Sequence, residues 1–250
     1  IVPPDVNESE LCWKGNGRSM RVGLLSISEL GTATRRRIVA KREEEKYKHI
    51  TDFLMRVKPE ENEARAMIHA GAFDRVHAGE SRASLLWMLA CSRKMRGKEN
   101  SRQGLFEVRP HTLKPSLPPE SDIKRLRSEF AVLGFLCGCH PMELYREALK
   151  RFRVVRAGEI HRFVGKHVRI AGLLVTGKVV HTKQGDPMEF LTFEDETGLV
   201  ETVFFPKTYR RFCAMLDRTR PFVLSGKVEE DFGAQTLTVS HVEAVSKGVL

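Results

Sequence analysis

The feature that most restricts how this chain can fold is a change of hydrophobic period near His167. Before that point apolar residues recur three and four positions apart, as on helices; after it they alternate. The runs "VRIAGLLVTGKVVH", "MEFLTFED" and "LVETVFFP" read as three strands, and Gly172 and Gly177 are points where the first could bend or bulge. "PKTYRRFCAMLD" then sets Tyr209, Phe212, Cys213 and Leu216 on one helical stripe. Alternation resumes in "FVLSGKVEE" and "QTLTVSHVEAV", on either side of "DFGA".

Three strands, one helix and two strands within about 80 residues is the element order of a five-stranded OB barrel, whose helix lies between strands three and four. The expected class is therefore α+β, an N-terminal all-α region followed by a C-terminal five-stranded OB-fold β-barrel. Residues 1–94 carry the helical patterns, after a loop-like start with a short alternating run at Met20, Val22 and Leu24. From Ile27 a short helix-like start reaches Gly31, a basic helix follows to about Glu44, and Ile50, Phe53, Leu54 and Val57 mark the next. A third ends at Gly71, a suitable left-handed cap. A fourth follows Ser81 or Ser84 as its N-cap. Residues 95–119 hold four of the eleven prolines and few apolar side chains, the composition of a linker. Residues 120–165 supply connecting helices, one capped by Ser121 and one begun by Pro141 and reaching about Phe152, and residues 166–250 form the barrel.

Charge separates the two halves. Residues 166–250 contain 11 Lys/Arg and 11 Asp/Glu, so the whole formal charge of +10 lies in residues 1–165. Such an excess favours a polyanionic partner over a merely solvated surface. The five cysteines show no C-x-x-C spacing, which points to a reducing, cytoplasmic setting and to no zinc ribbon or redox pair. No apolar run reaches the ~20 residues of a bilayer span, and neither metal nor cofactor is called for. The opening "IVPPDVNESE" has no initiator Met and no leader pattern, and reads as the interior of a longer chain.

Four separated motifs then carry a resemblance. "VPPDVNES" (2–9), the helical pair at 27–40 with "AMIHAGAFD" (66–74), "EFAVLGFLCGCHPMELY" (129–145) and "FLTFEDETGLVETVFFP" (190–206) occur in the order seen in one family. Together they resemble the C-terminal region of the bacterial DNA polymerase III alpha subunit and its error-prone relatives. The resemblance implies a tandem helix-hairpin-helix region before the OB domain. It implies that the catalytic palm lies outside this sequence, so the piece by itself would not polymerise DNA. It also implies partners: duplex and single-stranded DNA, the sliding clamp and other subunits of the polymerase holoenzyme. The alternative is an interaction module that packs on the polymerase or on a clamp-loader partner without touching DNA. The neutral barrel and Glu29 favour that reading.

Candidate contacts follow from these expectations. A helix-hairpin-helix turn binds phosphate through free backbone N–H groups at a helix N-terminus. Gly31 and Thr32 stand at the first such turn, with Arg35, Arg36, Arg37, Lys41 and Arg42 on the helix behind it. Glu29 departs from the glycine common there. Gly71 marks the second hairpin. OB folds stack bases on exposed aromatics beside basic side chains, chiefly on strands two and three and the flanking loops. Lys178 and Lys183 lie near the first loop, Phe193 and Phe204 on those strands, and Phe232 at the last loop. Core packing is the favoured reading of each phenylalanine over base stacking, since an alternating strand buries one face. "RQGLF" in the linker resembles a clamp-binding peptide, with Gln103 as polar anchor and Leu105 and Phe106 as apolar plugs, one residue shorter than the usual form. His140 before Pro141 reads as the start of a helix rather than a catalytic group. Glu194, Asp195 and Glu196 precede Thr197-Gly198 and read as a hairpin corner, since no second carboxylate group or metal ligand set answers them.

Overall fold

Helical stripes in the first half of the chain become α1 (Thr32–Glu44), α2 (Ile50–Val57), α3 (Glu61–His69), α4 (Arg82–Glu99) and α5 (Asp122–Leu133), preceded by a small hairpin of β1 (Lys14–Asn16) and β2 (Ser19–Arg21). The computed structural model describes residues 1–99, 117–118, 120–231 and 233–246. The chain divides into two units, residues 1–139 and 140–250.

In the first unit, the apolar stripe of α2 turns Ile50, Phe53, Leu54 and Val57 inward. Phe53 packs edge-on against Phe73, with ring centroids 5.0 Å apart, and against Tyr47 at 5.2 Å. Such tilted aromatic pairs add about 1 kcal/mol to the gain from burial alone. The Tyr47 hydroxyl donates to the Ile38 carbonyl at 2.9 Å. Burial pushes its phenol up to about 12. Local signals hold at several helix ends. Ser81 accepts from the Ser84 N–H, and Ser121 from the Lys124 N–H. Alternation expected to reach Leu24 stops at Arg21, because Leu24–Ser26 forms a 3-10 turn that buries Leu24.

The second unit begins with a 3-10 turn at Pro141–Tyr145, runs on as the short α6 (Arg146–Leu149), and passes through another 3-10 segment at Ala157–Phe163. The helix expected from Pro141 to Phe152 is thus two brief turns. His140 opens the first turn, its Nδ1 accepting the Met142 N–H. The barrel consists of β3 (His167–His181), β4 (Pro187–Asp195), β5 (Gly198–Phe204), β6 (Pro221–Asp231) and β7 (Ala234–Ala244). The strands close in the order β3-β4-β5-β7-β6, and α7 (Pro206–Phe212) lies between β5 and β6 in sequence. All neighbours are antiparallel except β5 and β7, which pair in parallel. The 15-residue β3 pairs with β6 along its first half and with β4 along its second, and its register with β4 shifts between Leu174 and Thr176. That shift falls between the two glycines marked in the sequence. Inward residues of all five strands, among them Phe193, Phe204, Phe222, Leu224 and Leu237, form one core that Phe212 of α7 joins.

Candidate nucleic-acid interface

At the first hairpin the backbone turns through Glu29 and Leu30 into α1. Glu29 adopts φ 65, the left-handed region that a glycine occupies without strain. Leu30 is buried and Gly31 is the exposed N-cap. The Gly31 N–H donates to Glu63 Oε1 at 2.9 Å, while the Thr34 hydroxyl and the Glu60 N–H donate to Oε2, also at 2.9 Å. A carboxylate of the chain itself therefore holds one of the donors expected to meet a phosphate. Burial pushes the Glu63 carboxyl up. The N–H groups of Glu60 and Gly31 and the Thr34 hydroxyl outweigh that effect, and its pKa is lowered. Thr32 remains exposed.

The basic run on α1 is largely occupied with its own fold. Arg35 donates to the Ile27 carbonyl at 3.2 Å, and Arg37 to the Val57 carbonyl at 3.1 Å and to the Thr34 hydroxyl at 2.9 Å. Arg42 bonds the Ser9 carbonyl and pairs with Glu10 at 3.1 Å. Lys41 pairs with Glu44 at 2.8 Å. Arg36 is exposed, and no intramolecular partner is found for it among the described residues.

Gly71 proves to be a packing position. It takes φ +83 at the end of α3, its N–H bonds the Ile68 carbonyl at 3.0 Å, and the Ala72 N–H bonds the Met67 carbonyl at 3.0 Å. That is the Schellman pairing, which uses the donor a phosphate would need. Over it lies Arg82, whose side chain is 5% exposed. Its guanidinium makes two bonds to Asp74, at 2.7 and 3.1 Å, and one to the His69 carbonyl at 2.6 Å. Glu129 stands 3.7 Å from the same group and accepts the Cys137 N–H at 3.0 Å. The Gly71 N–H, expected at a DNA contact, is thus bonded within the chain, and Arg82 covers the turn.

On the barrel the candidates divide by strand parity. Phe193 and Phe204 are 1% and 0% exposed and belong to the core, so neither offers a ring to a base. Among the described residues of the barrel, the large aromatics that face outward are Phe190 and Phe205, 42% and 46% exposed. Phe190 sits opposite Lys178 on one side and Val203 on the other. Phe190, Val203 and Phe205 line an open groove whose lining also includes Glu229, Glu230 and Asp231. The sequence carried the signal. Thr192 and Glu194 share Phe190's side of β4, and Glu201 shares that of Val203 on β5, so polar residues already marked the outward parity. Lys178 and Lys183 are exposed, Lys183 within the β3–β4 connection. Phe232, Gln103, Leu105 and Phe106 lie outside the described residues.

The acidic corner is a clasp. Asp195 Oδ1 accepts the N–H groups of Thr197 and Gly198 and the Thr197 hydroxyl, and its Oδ2 accepts the Ala157 N–H at 2.8 Å. The Thr197 hydroxyl oxygen accepts the Gly158 N–H at 2.9 Å. Glu194 stands 3.6 Å from His140 Nε2. These carboxylates tie the β4–β5 turn to the segment that precedes the barrel. Among the described residues no helix is long and apolar enough to cross a membrane.

Comparisons with known proteins agree with this architecture. Residues 1–85 match a family model described as a helix-hairpin-helix motif, and residues 168–245 one described as an OB-fold nucleic acid binding domain. The DNA polymerase III subunit alpha of Bacillus subtilis is 29% identical over 239 residues, covering 92% of this chain and 21% of that protein. The corresponding protein of Aquifex aeolicus is 30% identical, covering 95% and 20%. The error-prone DNA polymerase of Cutibacterium acnes is 29% identical, covering 92% and 20%. The chain thus spans about a fifth of the length of these relatives. With a helical unit followed by a closed five-stranded barrel, the chain carries a helix-hairpin-helix region and an OB-fold domain, and over nearly its whole length it is similar to one region of DNA polymerase III alpha subunits and error-prone DNA polymerases.

Proposed function

We propose that the barrel binds single-stranded DNA on the face bearing Phe190 and Phe205, as the non-catalytic template-handling segment of a polymerase III alpha-type enzyme in replication or translesion synthesis. One observation carries the reading: two exposed aromatic rings stand at the end of the β4–β5 hairpin, one of them in register with Lys178. Bases would stack on the rings, and Lys178 beside Phe190 would meet the sugar–phosphate chain. Fluorescence anisotropy with an oligothymidylate tests it. Truncating both rings (Phe190→Ala with Phe205→Ala) is expected to weaken binding at least tenfold, since stacking contributes about 1–3 kcal/mol per base. Unchanged affinity in that variant, or no binding by the parent chain at low salt, rejects the proposal.

The helical unit is proposed to act mainly as a scaffold packed on the rest of the polymerase, a reading that Glu63 at the Gly31 donor and Arg82 over Gly71 support. Duplex contact is then confined to Thr32 and Arg36 at the exposed start of α1. Clamp tethering through Gln103, Leu105 and Phe106 is part of the proposal on sequence grounds. A pull-down by the cognate clamp should be lost on Phe106→Ala.

A further inference from the structure

A second basic surface lies elsewhere on the barrel unit. Arg153, Lys166, His167 and Arg169 line one cleft, together with the apolar side chains of Val155 and Phe163, and no carboxylate is among the lining residues. All four basic side chains are exposed, and none has an ion-pair partner among the described residues. This departs from the other described residues, most of whose basic side chains are paired with carboxylates or bonded to carbonyls. Backbone bonds fix both walls. The Val155 N–H donates to the Arg169 carbonyl at 2.7 Å, the Gly165 N–H to the Val228 carbonyl at 2.8 Å, and the Val228 N–H to the Lys166 carbonyl at 2.9 Å. Like charges gathered in one cleft repel each other unless an anion joins them.

We propose that this cleft is a second phosphate-binding contact for a nucleic-acid single strand, separate from the Phe190–Phe205 face; it rests on the reading that the barrel binds such a strand. The register links the two places. Phe190 pairs with Val203, Val203 with Thr238, Thr238 with Lys227, and Lys227 with His167, giving one row across the outside of the barrel. Four inter-strand steps cover roughly 19 Å at ~4.8 Å each, within reach of the ~4–16 nucleotides that one OB fold engages. Phosphates would meet Arg153, Lys166 and Arg169, and a sugar or base would rest on Phe163 and Val155. An acidic peptide would match the charge but would leave that apolar floor without a use.

Anisotropy of the full chain with oligothymidylates of about 4 and about 16 nucleotides, over a salt series, tests the assignment. Lys166→Gln with Arg169→Gln alters two exposed side chains outside the core. This variant is expected to bind the long oligonucleotide about tenfold more weakly, with the salt slope reduced by about 1.4, and to bind the short one as before. If affinity and slope for the long strand are unchanged while the Phe190/Phe205 variant is still impaired, the cleft assignment fails and the face stands. Loss in the Lys166/Arg169 variant with no effect of the ring truncations leaves the cleft standing and removes the face. Two further arms use thymidine triphosphate and poly-glutamate. Weakened binding of either, with the long oligonucleotide unaffected, overturns the assignment in favour of a free nucleotide or an acidic protein. A parent chain that binds neither oligonucleotide overturns both.

Discussion

Replacing Gly71 by alanine separates backbone strain from the role of Arg82. Gly71 has φ +83, and an added Cβ would lie 2.3 Å from Arg82 Nη2 and 2.9 Å from Asp74 Oδ2. Strain alone in the left-handed region costs about 1 kcal/mol. The guanidinium must also move, giving up a charge-assisted bond worth about 2 kcal/mol near a buried arginine. Gly71→Ala is therefore expected to cost about 3 kcal/mol. Gly79 supplies the control, with φ +87 and no atom within 4 Å of its added Cβ. Gly79→Ala should cost about 1 kcal/mol from strain alone. Urea unfolding followed by tryptophan fluorescence measures both, and both tryptophans, Trp13 and Trp87, belong to the unit of residues 1–139. Equal losses in the two variants would refute the reasoning, because they would mean that Arg82 yields without cost.

Glu63 makes a pH prediction. Its carboxyl is held below its ordinary value in the folded chain, so its contribution to stability is fully present above the unfolded value of about 4.3 and is lost as pH falls through the lower folded one. The urea midpoint should drop on acidification below about pH 4, less steeply in Glu63→Gln, and a slope unaltered by the substitution would contradict this. At pH 7, Glu63→Ala should cost about 3 kcal/mol by leaving three donors without their acceptor. Glu29→Gly should raise stability by roughly 0.5–1 kcal/mol through relief of its left-handed backbone, measured by the same unfolding curves. Phe193→Ala should cost about 3–5 kcal/mol, whereas Phe190→Ala should change stability little. Circular dichroism melts decide between them, and similar losses would reject the assigned parity.

Much of the fold was legible because its signals are local. Alternation in β3, β4 and β5, the stripe on α7, the glycine cap at Gly71 and the serine caps at Ser81 and Ser121 each follow from backbone geometry within a few residues. The corner at Glu194–Gly198 was legible as a turn, but its bonds to Ala157 and Gly158 were not, since those partners lie nearly 40 residues away. The phenylalanines sit between these cases. Core packing, the favoured reading of Phe193 and Phe204, holds, and Thr192, Glu194 and Glu201 mark the opposite, outward side on which Phe190 stands.

The sequence by itself determined where the chain changes from helical to alternating, how many strands follow, and where several elements start and stop. Those properties depend on the repeat of a helix or strand and on side chains that bond their own neighbours. Tertiary structure alone decided which basic residues remain available. Arg35, Arg37 and Arg42 look interchangeable with Arg36 along α1, but each reaches a carbonyl brought near by packing, at Ile27, Val57 and Ser9. Arg153, Lys166 and Arg169 are unremarkable in sequence and become one cleft only when β3 pairs with β6 and with the segment before it. Charge is written in the sequence; its assignment to the fold or to a ligand depends on which distant atoms the fold brings within bonding distance.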